Sequence, residues 1–285
     1  MNRPIYLDNQ ATTPPDPGVV KAMLPYFQEK FGNAASVHHF YGQEGKEAVE
    51  QGRRVMAKSI QASPREIIFT SGATEAINLA LKGVAEKYID RGRHIITQVT
   101  EHKSVLDTCN YLVSKGWKVT TLPVDSMGMV NPNDVTKAIT RETVLVAIMH
   151  ANNEIGTIQP VKEIGTICRQ KNILFMVDAC QSFGKLDLNV KSMNIDLLAA
   201  TAHKLYGPKG IGFLFVSQKD PKVELQMQME GGGHERGFRS GTLAVPLIVG
   251  FARAVELSLE YINEENLRLG ELRDQLYTGI SMIHP

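Results

Sequence analysis

The chain has 285 residues, 43% of them hydrophobic and 21% charged, and a formal net charge of +1. This is the balance of a globular protein able to bury a sizeable core. It excludes the basic field that draws nucleic acid, and no apolar run is long enough to span a bilayer. The first eight residues, Met1 to Asp8, lack both the apolar core of a secretory signal and the Arg-rich pattern of a transit peptide. A cytoplasmic location is therefore expected. Cys109, Cys168 and Cys180 are widely spaced with no C-x-x-C, which argues against a disulfide framework or a zinc site. Each lies in an apolar or helix-like stretch and is expected to be a buried structural thiol.

Pro14-Pro15-Asp16-Pro17-Gly18 is a turn cluster that should set a short N-terminal segment apart from the first long helix. Short apolar runs then alternate with helical patterns. Strands are expected at 66–70, 94–97, 118–122, 143–149 and 173–177, with helices at 74–85, 104–114, 133–139 and 161–170 between them. A strand-like run at 196–200 and a late strand at 211–216 follow, and the pattern is helical from about 244 to 280. Strands joined by helices of this length predict an α/β fold with a mostly parallel sheet. The continuous run Val144-Leu145-Val146-Ala147-Ile148-Met149 suits a strand buried on both faces.

Parallel sheets bind ligands at the carboxyl ends of their strands, so the residues just after each strand carry the chemistry. Ser71-Gly72-Ala73-Thr74-Glu75 can cradle a phosphate at a helix N-terminus, or simply cap that helix. His102, in Thr100-Glu101-His102-Lys103-Ser104, can stack on an aromatic ligand and move protons, or can be a loop histidine. Asn152-Asn153 can hold a ligand hydroxyl or make a turn. Asp178 closes an apolar strand and needs a partner; a pyridinium nitrogen is one, a helix N-cap another. Lys204, before a Gly/Pro-rich turn, can form a Schiff base with an aldehyde, though most lysines are solvated charges. Gly231-Gly232-Gly233, followed by Arg239, Ser240 and Thr242, offers close backbone approach and anion contacts, or a mobile linker. Taken singly, each signal is weak. In this order they supply a phosphate cradle, a ring stacker, a hydroxyl partner, a pyridine-nitrogen partner and an amine.

The stretches FTSGATEAINLALKG (69–83), TEHKSVLDTC (100–109), MHANNEIGTIQP (149–160), VDACQSFGK (177–185), HKLYGPKGIG (203–212) and GGGHERGFRSGT (231–242) resemble the class V aminotransferase group, and within it the cysteine desulfurases that serve iron–sulfur cluster assembly. The likeness runs from Tyr6 to about Ile280. It implies a pyridoxal 5'-phosphate (PLP) transferase large domain, about 15–260, around a seven-stranded-type sheet. Residues 1–14 and 261–285 would be parts of an incomplete small α+β domain. It implies that Lys204 holds the cofactor, that Asp178 pairs with the pyridine nitrogen and that Gln181 pairs with the ring oxygen. His102 would stack on the ring and move protons, and Asn153 would contact substrate or cofactor. Ala73, Thr74, Thr201 and His203 would bind the phosphate, with Thr242 reaching that of the neighbouring subunit of a homodimer. Phe31 to Ser36 and His39 resemble the mouth of the family's active site.

The implied reaction converts L-cysteine to L-alanine and passes sulfur, as persulfide, to an iron–sulfur scaffold or a tRNA-thiolation relay. No metal, membrane or direct nucleic-acid contact is implied. Ala34 and Cys180 depart from the family's pattern. None of the three cysteines sits in the motif of the family's catalytic thiol, which belongs to a C-terminal segment. The chain, ending on a helix at His284-Pro285, is therefore expected to be a shortened form without turnover, with exposed apolar faces over 244–283 and a tendency to aggregate. Two other readings stay open: another class V PLP enzyme, such as a selenocysteine lyase or an aminotransferase, and a cofactor-binding form without catalysis.

Overall fold

The computed structural model describes residues 4–218 and 221–283. Seven strands form one sheet: β1 (Ile67–Thr70), β2 (His94–Gln98), β3 (Lys118–Leu122), β4 (Thr143–Met149), β5 (Leu174–Asp178), β6 (Leu197–Thr201) and β7 (Gly212–Val216). Their order is β1-β7-β6-β5-β4-β2-β3. The strands β3, β2, β4, β5 and β6 run parallel, and β7 is antiparallel to both neighbours. The parallel part was expected. The reversal of β7 was not, because an apolar run carries no mark of strand direction.

Among the described residues, eight α-helices flank the sheet: α1 (Pro17–Met23), α2 (Pro25–Gln28), α3 (Phe40–Ser59), α4 (Ala73–Lys87), α5 (Lys103–Ser114), α6 (Pro132–Ala138), α7 (Val161–Gln170) and α8 (Val245–Ile283). The sheet is apolar on both faces, so both must be covered. Ile77, Leu81 and Val84 of α4 and Val105 and Leu112 of α5 pack with Leu145, Met176 and Leu214 on one face. Met56 of α3, Ile164 of α7 and Ile248, Phe251 and Val255 of α8 pack with Val146, Phe175 and Phe213 on the other. The result is a three-layer αβα arrangement.

Several boundaries differ from expectation. The turn cluster leads into short α1, with Asp16 accepting from the Gly18 N–H and Pro17 in the first turn; the first long helix is α3, beginning at Phe40. Glu66 falls in a 3₁₀ turn, where its carboxylate caps the Ser63 N–H, rather than in β1. The last helix is one continuous element of 39 residues, buried near its start and exposed from about Leu259 onward. No described helix is long and apolar enough to cross a membrane.

The register sets the site. Thr70 at the end of β1 and Thr201 at the end of β6 both face Gly212, the first residue of β7. Met149 at the end of β4 faces Asp178 at the end of β5. The carboxyl ends of the parallel strands therefore share one edge with the start of β7. The chain steps one way from β2 to β3 and the other way from β4 through β7, so the order reverses between β2 and β4, the position where such sheets open a crevice.

Candidate active site

A cleft of about 600 Å³ opens at this edge. Its lining includes Ala73, Thr74, His102, Asn153, Asp178, Gln181, Thr201, His203 and Lys204, so nine of the ten expected site residues converge there. Thr242 does not line it and stands exposed on the surface.

The anion cradle expected after β1 falls at the N-terminus of α4. Its N-cap, Gly72, sits at φ 155°, and a Cβ there would meet no atom within 4 Å. Only glycine adopts this backbone readily, and the space it leaves opens onto the helix N-terminus. No side chain caps that end. The acid of the first turn, Glu75, is drawn elsewhere: it accepts from the Ser71 N–H at 2.7 Å and pairs with Arg239 at 2.7 Å. Although its partial burial works the other way, those hydrogen bonds hold its carboxyl below the ordinary value. The N–H groups of Ala73 and Thr74 thus stay available to an anion. Gly212 lies under the cradle, where a Cβ would come within 2.7 Å of Gly72 backbone and 2.6 Å of the Ala200 carbonyl.

Lys204 lies in a 3₁₀ turn after β6, and its Nζ donates to the Gln10 carbonyl. Burial lowers its amine pKa, while Cys180, Asp178, Asp8 and Glu154 oppose that. Asp178 closes β5; one carboxylate oxygen accepts from the Cys180 N–H at 3.0 Å, and the side chain is otherwise buried at the cleft. No helix begins directly after β5, so the helix N-cap role left open for Asp178 falls away; the Cys180 N–H bond belongs to the turn that follows the strand. Gln181 donates to the Gln10 carbonyl at 2.9 Å. His102 caps α5: its Nδ1 accepts from the Ser104 N–H at 3.1 Å, which places the proton of the neutral ring on Nε2. His203 bonds Thr12 Oγ1 at 3.1 Å, and burial followed by the Lys204 and Lys209 charges lowers its pKa. The Thr201 hydroxyl donates to the Ile211 carbonyl at 3.2 Å, closing the β6–β7 turn. Asn153 is half-buried and donates to Glu154 at 2.9 Å.

Sequence reasoning missed part of the wall. Gln10, Ala11 and Thr12 line the cleft because Thr13 fastens the N-terminal segment to the lysine turn, donating to the His203 carbonyl at 2.9 Å and accepting from the Tyr206 N–H at 2.8 Å. Both partners lie about 190 positions away, so no local pattern announces them. Cys180 also lines the cleft and is only partly buried, unlike Cys109 and Cys168, which the core encloses as expected.

A lysine amine, an aspartate, a histidine ring and an uncapped helix N-terminus in one crevice fit a phosphorylated pyridine aldehyde. The aminotransferase class-V family model matches residues 5–284. The chain is 50% identical over 280 residues to the cysteine desulfurase IscS of Anaeromyxobacter dehalogenans, covering 98% of this chain and 69% of that one. It is 51% identical to the IscS of Tolumonas auensis, covering 99% and 70%. A solved NifS-like protein superposes with a TM-score of 0.95 at 43% identity, covering 98% of this chain and 76% of that structure. The chain therefore belongs to the class V aminotransferase family.

Proposed function

We propose that the chain is a PLP-dependent cysteine desulfurase unit, taking sulfur from L-cysteine for iron–sulfur cluster assembly or tRNA thiolation and leaving L-alanine. The observation that carries this reading is the convergence of Lys204, Asp178 and His102 on one cleft beside an uncapped helix N-terminus. When bound there, PLP supplies an electron sink for the substrate's α-carbon. The chain's own groups do the rest. Lys204 offers an amine whose burial favours its neutral, nucleophilic form. Asp178 offers a carboxylate to the ring nitrogen, steadied by the Cys180 N–H. His102 presents a flat ring and holds its proton on Nε2. Ala73 and Thr74 would supply N–H groups to the phosphate, and His203 and Thr201 line the same cleft.

The persulfide needs a thiolate nucleophile. Burial pushes the Cys109 thiol up to about 12 and the Cys168 thiol further still. Cys180 is raised well above its ordinary value by burial and by the Asp178 charge. We read all three as inert, so this chain alone binds cofactor and substrate without turnover. Thr242, exposed outside its own cleft, is assigned to the phosphate of a partner subunit in a homodimer. Alanine release from L-cysteine, assayed with an added dithiol and no keto acid, tests this: none is expected from the chain alone. Alanine release, or a keto-acid requirement, would overturn the assignment of the thiols or of the reaction respectively.

A further inference from the structure

Glu101 is buried, with 6% of its surface exposed, yet no step above uses it. Its Oε1 accepts from the Met149 N–H at 2.6 Å and from Gln98 Nε2 at 2.9 Å. Its Oε2 is enclosed without a partner. Gln98 in turn accepts from the Thr100 N–H at 3.1 Å and from the Thr100 hydroxyl at 2.6 Å. The Thr100 carbonyl accepts from Asn152 Nδ2 at 2.9 Å, and Asn152 Oδ1 accepts from the N–H groups of Glu154 at 2.8 Å and Ile155 at 3.0 Å. One hydrogen-bonded run thus joins the loop after β2, which carries His102, to the loop after β4, which carries Asn153. It does so where the strand order reverses and no ladder bond continues between the two strand ends.

We propose that Glu101 is a positioning residue of this site: its carboxyl latches the His102 loop to the end of β4 and thereby fixes where the imidazole stands over the cleft. The proposal rests on the PLP reading of that cleft. The carboxyl works as a neutral acid. The titratable groups facing it are Asp178 from β5, which is charged, and the Cys109 thiol from α5, which burial keeps neutral; beyond Met149 stands His150, whose burial disfavours the imidazolium. Burial, together with the Asp178 charge, raises Glu101 to about 8 against the two hydrogen bonds that favour its anion. With Oε1 receiving both donors, the proton belongs on the enclosed Oε2, and Asp178 has no like charge beside it at neutral pH.

Two variants of the 285-residue chain test this, Glu101→Gln and Glu101→Ala. The first readout is thermal melting without cofactor between pH 5.5 and 9. Glutamine keeps the Oε1 acceptor and never ionises, so its Tm should gain on wild type as pH rises to about 8, then hold a constant lead, and alanine should melt below glutamine at every pH. Parallel wild-type and Gln curves, or an Ala variant as stable as Gln, would overturn the latch. The second readout is the visible ellipticity of bound PLP at pH 7, which reports ring seating. The wild-type signal should persist in Gln and be mostly lost in Ala; an unchanged Ala signal would sink the positioning role. Should wild type take up no PLP, the proposed function fails, and the melts alone still judge the latch. Should Ala not fold, the Gln melting curve and the Gln ellipticity still decide.

Discussion

Asp178 shows how much a single side chain settles at this site. It ends an apolar strand at the cleft, and its partial satisfaction by the Cys180 N–H leaves acceptor capacity for a ligand. Replacing it with asparagine should leave PLP uptake in place while slowing exchange of the cysteine α-hydrogen with heavy water by about 100-fold or more. Proton NMR of L-cysteine with wild type and variant measures this; equal exchange rates would remove Asp178 from the chemistry. Glu101 makes a second statement at this scale. In the unfolded chain it ionises near 4.5, and in the fold near 8, so between those values the native state alone holds its proton. Its contribution to stability is complete below about 4.5 and declines with rising pH, by about 1.4 kcal/mol per unit, until about 8. That nine of the named residues meet in one cleft was legible because strand-end patterns are local, whereas Thr242 falls outside it and Gln10 to Thr12 were missed. The role of Glu101 was not legible, since its partners, Met149 and Asn152 by way of Thr100, come from another strand end.

Among the elements, the loop 231–242 owes its place to a buried ion pair. Arg53 on α3 donates to both carboxylate oxygens of Glu235, at 2.8 and 2.7 Å, and to the Ile67 carbonyl at 2.6 Å. Glu235 also accepts from the Phe69 N–H at 2.6 Å. Glu235 and Arg236 adopt φ values of 49° and 57°, left-handed backbone that glycine prefers, and these bonds hold them there. Glu235→Ala would leave the Arg53 guanidinium buried and unpaired, a loss of about 3–5 kcal/mol. The melting temperature should fall by about 10 °C, and a fall of only a degree or two would show that water or Arg236 replaces the carboxylate. The sequence alone marked this loop as either ligand-binding or a linker. It gave no sign of the anchor, because Arg53 lies 182 positions from Glu235 on a helix of ordinary charged composition. From β1 onward, strand and helix positions were legible to within about three residues from apolar periodicity, whereas α1 to α3 were not given bounds. The direction of β7 was not legible, because parallel and antiparallel strands with both faces covered bury the same residues.

At the scale of the molecule, the second half of α8 stands apart from the two cores. Leu269, Leu272, Leu276 and Ile280 recur at helical spacing, each about half exposed or more, and form an apolar stripe. We propose that this stripe and residues 4–14 belong to a second structural unit, as the likeness to class V enzymes implies. Light scattering of the 285-residue chain should show association that rises with concentration and that Leu272→Glu with Leu276→Glu reduces. Monodisperse behaviour of the wild type at high concentration would contradict an uncovered face.

The claim on which the account turns is that Lys204 carries PLP in the cleft between β4, β5 and β6. Its most direct test is the visible absorption spectrum of the chain purified with PLP, recorded before and after L-cysteine, beside Lys204→Ala. The account predicts a yellow band that requires Lys204 and shifts when cysteine is added. A folded chain, shown by circular dichroism, that stays colourless, or a band that survives in Lys204→Ala unchanged, would contradict it.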